Sequence, residues 1–139
     1  MAQTLDQQRA AFAWACACDS RKKLPPKEAD KYRNLAKGAP ALILNSGLMP
    51  TLAFYSSKAK REPTPEECLL NDLMLGLVQR LKPNPAPRDF AGFMAMLLKM
   101  ESLDYRRCTD EALELLKWIR QFVDAVPNAS ASTSTGGAA

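Results

Sequence analysis

The stretch KYRNLAKGAPALILNSGLMPTLAFYSSK, residues 31–58, decides the fold. It opens basic, turns apolar over residues 39–44, breaks at Asn45-Ser46-Gly47, runs apolar again from Leu48 to Tyr55 and closes on a second basic run. Gly47 suits the position just past a helix, where positive φ is cheap only without a Cβ. Two helices are therefore predicted to meet there at a tight angle, with Lys37 and Lys58 near their outer ends. Residues 41–44 are short enough for a strand, but no second alternating run exists to pair with them.

Outward from this block every segment reads as helix. Thr4-Leu5-Asp6-Gln7 is a capping box, in which Thr4 caps the third amide and Gln7 reaches back. The alanine-rich helix behind it places Leu5, Phe12 and Cys16 on one stripe, and Pro25-Pro26 cannot continue it. Further helices are predicted over residues 27–37, 40–45 and 48–60. Thr64-Pro65-Glu66-Glu67 marks the next start, with Thr64 as N-cap, Pro65 in the first helical position and Glu67 completing a box. The wide apolar stripe Leu69, Leu70, Leu73, Met74, Leu77, Val78, Leu81 follows.

Residues 83–87, PNPAP, form a stiff connector. A helix over 89–100 turns Phe90, Phe93, Met94, Leu97 and Leu98 inward. Thr109 is predicted to cap the last helix, with Asp110 and Glu111 in its first turn, and Leu113, Leu116, Ile119, Phe122 and Val123 facing the core. Gly76 and Gly92 lie inside helices, which suggests either close helix approach at those points or, equally, a tolerated defect. The expected class is all-α, a compact bundle of about six helices. It forms a single domain over residues 1–126, with a disordered tail over 127–139.

Chemistry is scarce. The chain of 139 residues has no histidine, which removes Ser-His, Cys-His and His-metal arrangements. No phosphate-cradling glycine loop exists. Glu66-Glu67 and Asp110-Glu111 read as first-turn carboxylates that complement the helix dipole. Cys16 and Cys18 are two apart, so on a helix they point away from each other and cannot grip one metal. Reduced thiols that act as small hydrophobes are expected. No catalytic residue, cofactor or metal is expected, and the chain does not read as an enzyme. With no apolar run long enough for a bilayer and no leader, a cytoplasmic location is expected.

Charge is the remaining signal. The net charge is +4, but residues 1–61 carry 11 Lys/Arg against 4 Asp/Glu, and residues 62–126 carry 8 against 11. A basic half thus adjoins a mildly acidic half, which suits a polyanion partner and head-to-tail stacking of copies, and on charge alone equally suits two solvated faces with no partner. Arg21-Lys22-Lys23 and Lys58-Lys60-Arg61 are the clusters, and Lys27, Lys31 and Lys37 accompany them on the second helix. Lysines without interleaved exposed aromatics suit phosphate contact better than base reading. Tyr32 and Tyr55 could stack on bases, but both fall in apolar patterns and are expected in the core.

The block 31–58, the opening Gln3-Thr4-Leu5-Asp6-Gln7-Gln8-Arg9-Ala10 and the segment from Tyr105 to Phe122 together resemble the small subunit of the type III-B (Cmr) CRISPR RNA-guided effector complex. The resemblance spans roughly residues 3–125. The Ala-Cys-Ala-Cys segment and the tail have no counterpart in that pattern. The resemblance implies an all-helical, non-catalytic antiviral-defence subunit. Copies of it stack as a minor filament beside the subunits that hold guide RNA, and the channel so formed takes target RNA. Its implied partners are other Cmr subunits, further copies of itself, guide RNA and target RNA, with no membrane and no small-molecule substrate. Charge and placement, rather than a motif, nominate Lys22, Lys23, Lys37, Lys58, Lys60 and Arg61 as RNA-binding. The acidic half would dock on the next copy or on a neighbouring subunit. The alternative is a stand-alone helical nucleic-acid-binding or scaffold protein, although the helix after Gly47 is too apolar to lie in a groove.

Overall fold

Thr4 starts the first helix as its sequence dictates. Its Oγ1 accepts from the Gln7 amide at 3.1 Å, and the Gln7 side chain accepts from the Thr4 amide at 2.8 Å. The computed structural model describes residues 2–126, and its helices are α1 Leu5–Lys23, α2 Pro26–Ser46, α3 Leu48–Ser56, α4 Pro65–Leu81, α5 Phe90–Lys99 and α6 Ser102–Ala125. No strand occurs among the described residues. The expected tail lies outside them. α1 buries Ala13, Cys16, Ala17 and Ser20, a face of small residues, while Leu5 stays exposed.

α2 corrects the sequence reading. Two helices over 27–37 and 40–45 are one unbroken helix, with Pro40 inside it. A mid-helix proline lacks its N–H and clashes with the preceding turn, at a cost of about 3 kcal/mol. Here Ala29, Tyr32, Ala36, Ala39 and Ile43 form a continuous buried stripe across the proline. Tertiary burial of that stripe outweighs the local penalty.

Gly47 sits at φ 95° and ψ 163° and ends α2, its amide donating to the Ile43 carbonyl at 2.7 Å. It also begins α3, so the sharp junction forms where expected. The Tyr105 hydroxyl accepts from the Met49 amide at 3.1 Å, which satisfies one of α3's free first-turn donors. α3 stops at Ser56, short of the expected Lys60; Ser57 caps it, and its hydroxyl donates to the Phe54 carbonyl at 2.6 Å.

Thr64 caps α4, accepting from the Glu67 amide at 3.1 Å, although the Glu67 side chain makes no return bond. Leu69, Leu70, Leu73 and Leu77 are buried, and Met74, Val78 and Leu81 pack at their margin. Asp89 caps α5 by accepting from the Gly92 amide at 2.8 Å. Of the residues expected inward on α5, Phe93 and Leu97 are buried, whereas Leu98 is 68% exposed. α5 lies at the margin of the bundle, so only one narrow stripe finds a partner.

The last helix begins at Ser102, well before Thr109. Thr109 is therefore no cap; its hydroxyl donates to the Tyr105 carbonyl at 3.1 Å, one turn back. The Leu103–Arg107 segment contains good helix formers and needed no later start signal. Asp110 and Glu111 consequently lie inside the helix, and Glu111 is buried rather than in a first turn. α1 runs alongside α6 in the same direction, with Arg9 against Glu111 and Trp14 against Phe122. At Gly76 three helices converge, since a Cβ there would lie 2.7 Å from both Leu115 and Phe12. At Gly92 an added Cβ would instead meet only the Asp89 cap and Pro87, so no second helix approaches there.

Candidate nucleic-acid interface

The chain path gathers positive charge at one end of the bundle. α1 finishes there with Arg21, Lys22 and Lys23 in its last turn. These cations complement the negative pole of the helix. The short link through Leu24 and Pro25 starts α2 at the same end, where Lys27 and Lys31 are one turn apart and both exposed. α3 ends there too, and the exposed residues Lys58, Lys60 and Arg61 lie on its way to α4.

Lys31, Lys58 and Lys60 line one depression, together with Glu28, Thr64, Pro65 and Glu66. Among the described residues no carboxylate lies within ion-pair distance of any of these three lysines. Lys58 Nζ lies 5.3 Å from the ring centre of Phe54, in a cation–π contact. Phe54 is 48% exposed, so an aromatic does accompany the lysines, contrary to the sequence reading. Tyr32 and Tyr55 are both buried, as expected.

Lys23 lines a second depression beside the first, with Asp19, Ser20, Pro63, Glu67, Cys68, Asn71 and Asp72. Its wall is acidic. The Asp72 carboxylate accepts from the Tyr32 hydroxyl at 2.6 Å, and burial pushes its pKa up to about 6. The Cys16 thiol adjoins that carboxylate, and burial with the nearby negative charge raises its pKa far above the thiol range. Such a thiol is inert as a nucleophile. All four cysteines are free. Among the described residues no group of three or more His, Cys, Asp or Glu side chains could hold a metal ion.

Lys37 stands apart from the other nominated cations. Its Nζ is 2.7 Å from Asp124 on α6, and that contact, with Arg33 and Arg21 nearby, holds the Asp124 carboxyl below its ordinary range. Arg21 in turn pairs with Asp30 at 3.1 Å. The structure thus brings Lys58 and Lys60 together, adds Lys31 to them, and sets Lys37 in a charge-paired cluster on another face. Phe54 escaped the sequence reading because its run looked wholly apolar. The four-residue spacing from Phe54 to Lys58 was the available signal.

Among the described residues the fold is an all-helical bundle with lysines gathered at one end. The family model for CRISPR-associated protein (Cas_Cmr5) matches residues 5–126. The CRISPR system Cmr subunit Cmr5 of Thermus thermophilus is 31% identical over 98 residues, covering 69% of this chain and 75% of that protein. The chain belongs to the Cmr5 family and is a small subunit of a type III-B Cmr complex. No helix among the described residues is long and apolar enough to cross a membrane.

Proposed function

We propose that this chain is a non-catalytic, cytoplasmic subunit that stacks in several copies as a minor filament of the Cmr complex. Its basic end lines the channel for target RNA, beside the subunits that hold guide RNA. Residues 1–126 act as one unit, and the more acidic second half docks on the next copy or on a neighbouring subunit. The observation that carries the reading is the convergence of Lys31, Lys58 and Lys60 around one depression, free of ion pairs among the described residues. Exposed Lys22, Lys23 and Arg61 extend the same end. Lys37 contributes only by leaving Asp124, so it is the weakest member of the set.

Phosphate contacts made by such lysines give affinity without sequence preference. The test is target-RNA binding by the assembled complex carrying Lys58→Glu together with Lys37→Glu, and separately Lys58→Glu with Lys60→Glu. Each lost phosphate contact lowers the salt slope of binding by about 1 and weakens all sequences alike. Unchanged binding in both pairs would remove the channel assignment. Lost assembly with intact RNA affinity would make the chain a protein-only scaffold.

A further inference from the structure

Phe54 has no structural reason to face solvent. α3 buries Leu48, Thr51, Leu52 and Tyr55, and Phe54 stands on the helix side away from them, nearly half exposed. The neighbouring Tyr55 ring is tilted at 54° with centroids 6.0 Å apart, so it does not cover Phe54 face to face. What meets the ring is the Lys58 ammonium, at 5.3 Å from the centroid. The ring meets that cation and still leaves Phe54 48% exposed. Lys58 also lines the depression with Lys31 and Lys60. Lys58 thus joins the exposed ring to a depression whose charged lining is Lys31, Lys58, Lys60, Glu28 and Glu66.

We infer that Phe54 is a nucleobase-stacking residue: an unpaired base of the bound RNA lies against its exposed ring while Lys58, Lys60 and Lys31 contact the flanking phosphates. This rests on the RNA-channel reading and names the part of the site that touches bases. Single-stranded nucleic acid is held in this way, by a cationic track for the backbone and aromatic faces for the bases, and stacking tolerates any sequence because every base has a π-face. Lys58 anchors the pair by linking ring and phosphate. Trp14 is also exposed, at 43%, but it packs edge-on with Phe122 of α6, and no cation–π contact to it occurs among the described residues. It serves as the control aromatic.

The test uses the assembled complex with Phe54→Leu, which keeps apolar bulk without a π-face, with Phe54→Trp, which keeps one, and with Trp14→Leu. Target RNA is offered intact and as a set with single abasic positions. Stacking predicts that Phe54→Leu weakens intact RNA about tenfold. The salt slope stays unchanged, Phe54→Trp retains affinity and Trp14→Leu has no effect. At each position that meets a copy's Phe54, an abasic site weakens the parent complex and has no effect on the Phe54→Leu complex. Photo-crosslinking with 5-iodouridine RNA attaches to the Phe54 peptide.

Three results would overturn the inference. If Phe54→Leu is silent while Lys58→Glu with Lys60→Glu weakens binding, the RNA reading stands and stacking falls. Silence of both removes the two together. If Phe54→Leu reduces incorporation of the chain while RNA affinity per complex is unchanged, the ring is a protein contact.

Discussion

Arg9 and Glu111 lie 102 positions apart in sequence and close a two-pronged ion pair between α1 and α6. Arg9 Nε donates to Oε2 at 2.9 Å and Nη2 donates to Oε1 at 2.7 Å. Glu111 is 7% exposed, and Arg80 of α4 stands 3.9 Å away on its other side. The carboxylate in turn raises the Arg9 pKa, chiefly through that hydrogen bonding. One acidic side chain thus ties three helices.

Removing Glu111 strips the largely buried Arg9 of its closest partner and leaves it only the longer contacts to Asp6 at 3.5 Å and Glu114 at 3.9 Å. Glu111→Ala should cost about 3 kcal/mol, whereas Arg9→Met with Glu111→Leu, which removes both charges and keeps the volume, should cost less than that single change. Urea unfolding of the single and double variants measures both. A double variant worse than Glu111→Ala would contradict the argument.

Asp72 gives a pH dependence of definite sign. Its folded pKa of about 6 exceeds the ordinary 3.8 because burial disfavours the charged form, while the Tyr32 hydroxyl, Lys23 and the Cys16 thiol oppose the rise and Asp19 adds to it. The protonated carboxyl is the form the fold prefers, so its stabilising effect is complete below about pH 4 and is lost as pH climbs through about 6. Asp72→Asn should therefore raise stability by about 2 kcal/mol at pH 8, with the gap closing toward pH 4. Thermal melts across that range would read it. An equal gap at both ends would exclude Asp72 as the source.

Two helical glycines should respond to alanine with opposite signs. At Gly76 the new methyl would press on Leu115 and Phe12 at 2.7 Å, and Leu115 is itself packed in the core. Gly76→Ala should destabilise by about 1–2 kcal/mol. At Gly38 nothing lies within 4 Å of the added carbon. Gly38→Ala should stabilise by up to about 1 kcal/mol through helix propensity and a less free unfolded chain. Parallel denaturant titrations decide both.

Gly47 holds the corner between α2 and α3 at a backbone geometry nearly closed to other residues, with φ 95° and ψ 163°. Gly47→Ala should cost about 1–3 kcal/mol, although no atom sits closer than 3.5 Å to the added carbon. Near-ultraviolet circular dichroism should change with it, because the Tyr105 hydroxyl accepts from the Met49 amide in the first turn of α3 beside that corner. A variant as stable as the parent would mean that the corner relaxes freely.

Local signals were legible where one residue type satisfies a backbone need. Thr4 with Gln7, Thr64 before Pro65, and Gly47 each name a helix boundary through a single hydrogen bond or dihedral. What could not be read depends on distant partners. Pro40 looked like a boundary until the stripe from Tyr32 to Ile43 had something to pack against. Thr109 looked like a cap because nothing in residues 102–108 announces that Tyr105 is needed one turn earlier, against the α2–α3 corner. The charge clustering was legible in Lys58, Lys60 and Arg61, which share a linker. Lys37 was misplaced among them because only the partner helix reveals Asp124.

The thin anchoring of α5 has a temporal consequence. Only Phe93 and Leu97 are buried along its length, and its cap is a solvent-exposed hydrogen bond between Asp89 and Gly92. A segment held by so little opens on its own, at a free energy below that of global unfolding. Its amides should exchange with solvent ahead of those in α4 and α6, and trypsin should cut at the exposed Arg88 and Lys99 on either side before the rest of the chain loosens. Two opening rates are therefore expected: a slow one shared by the other helices, and a fast one confined to this short helix.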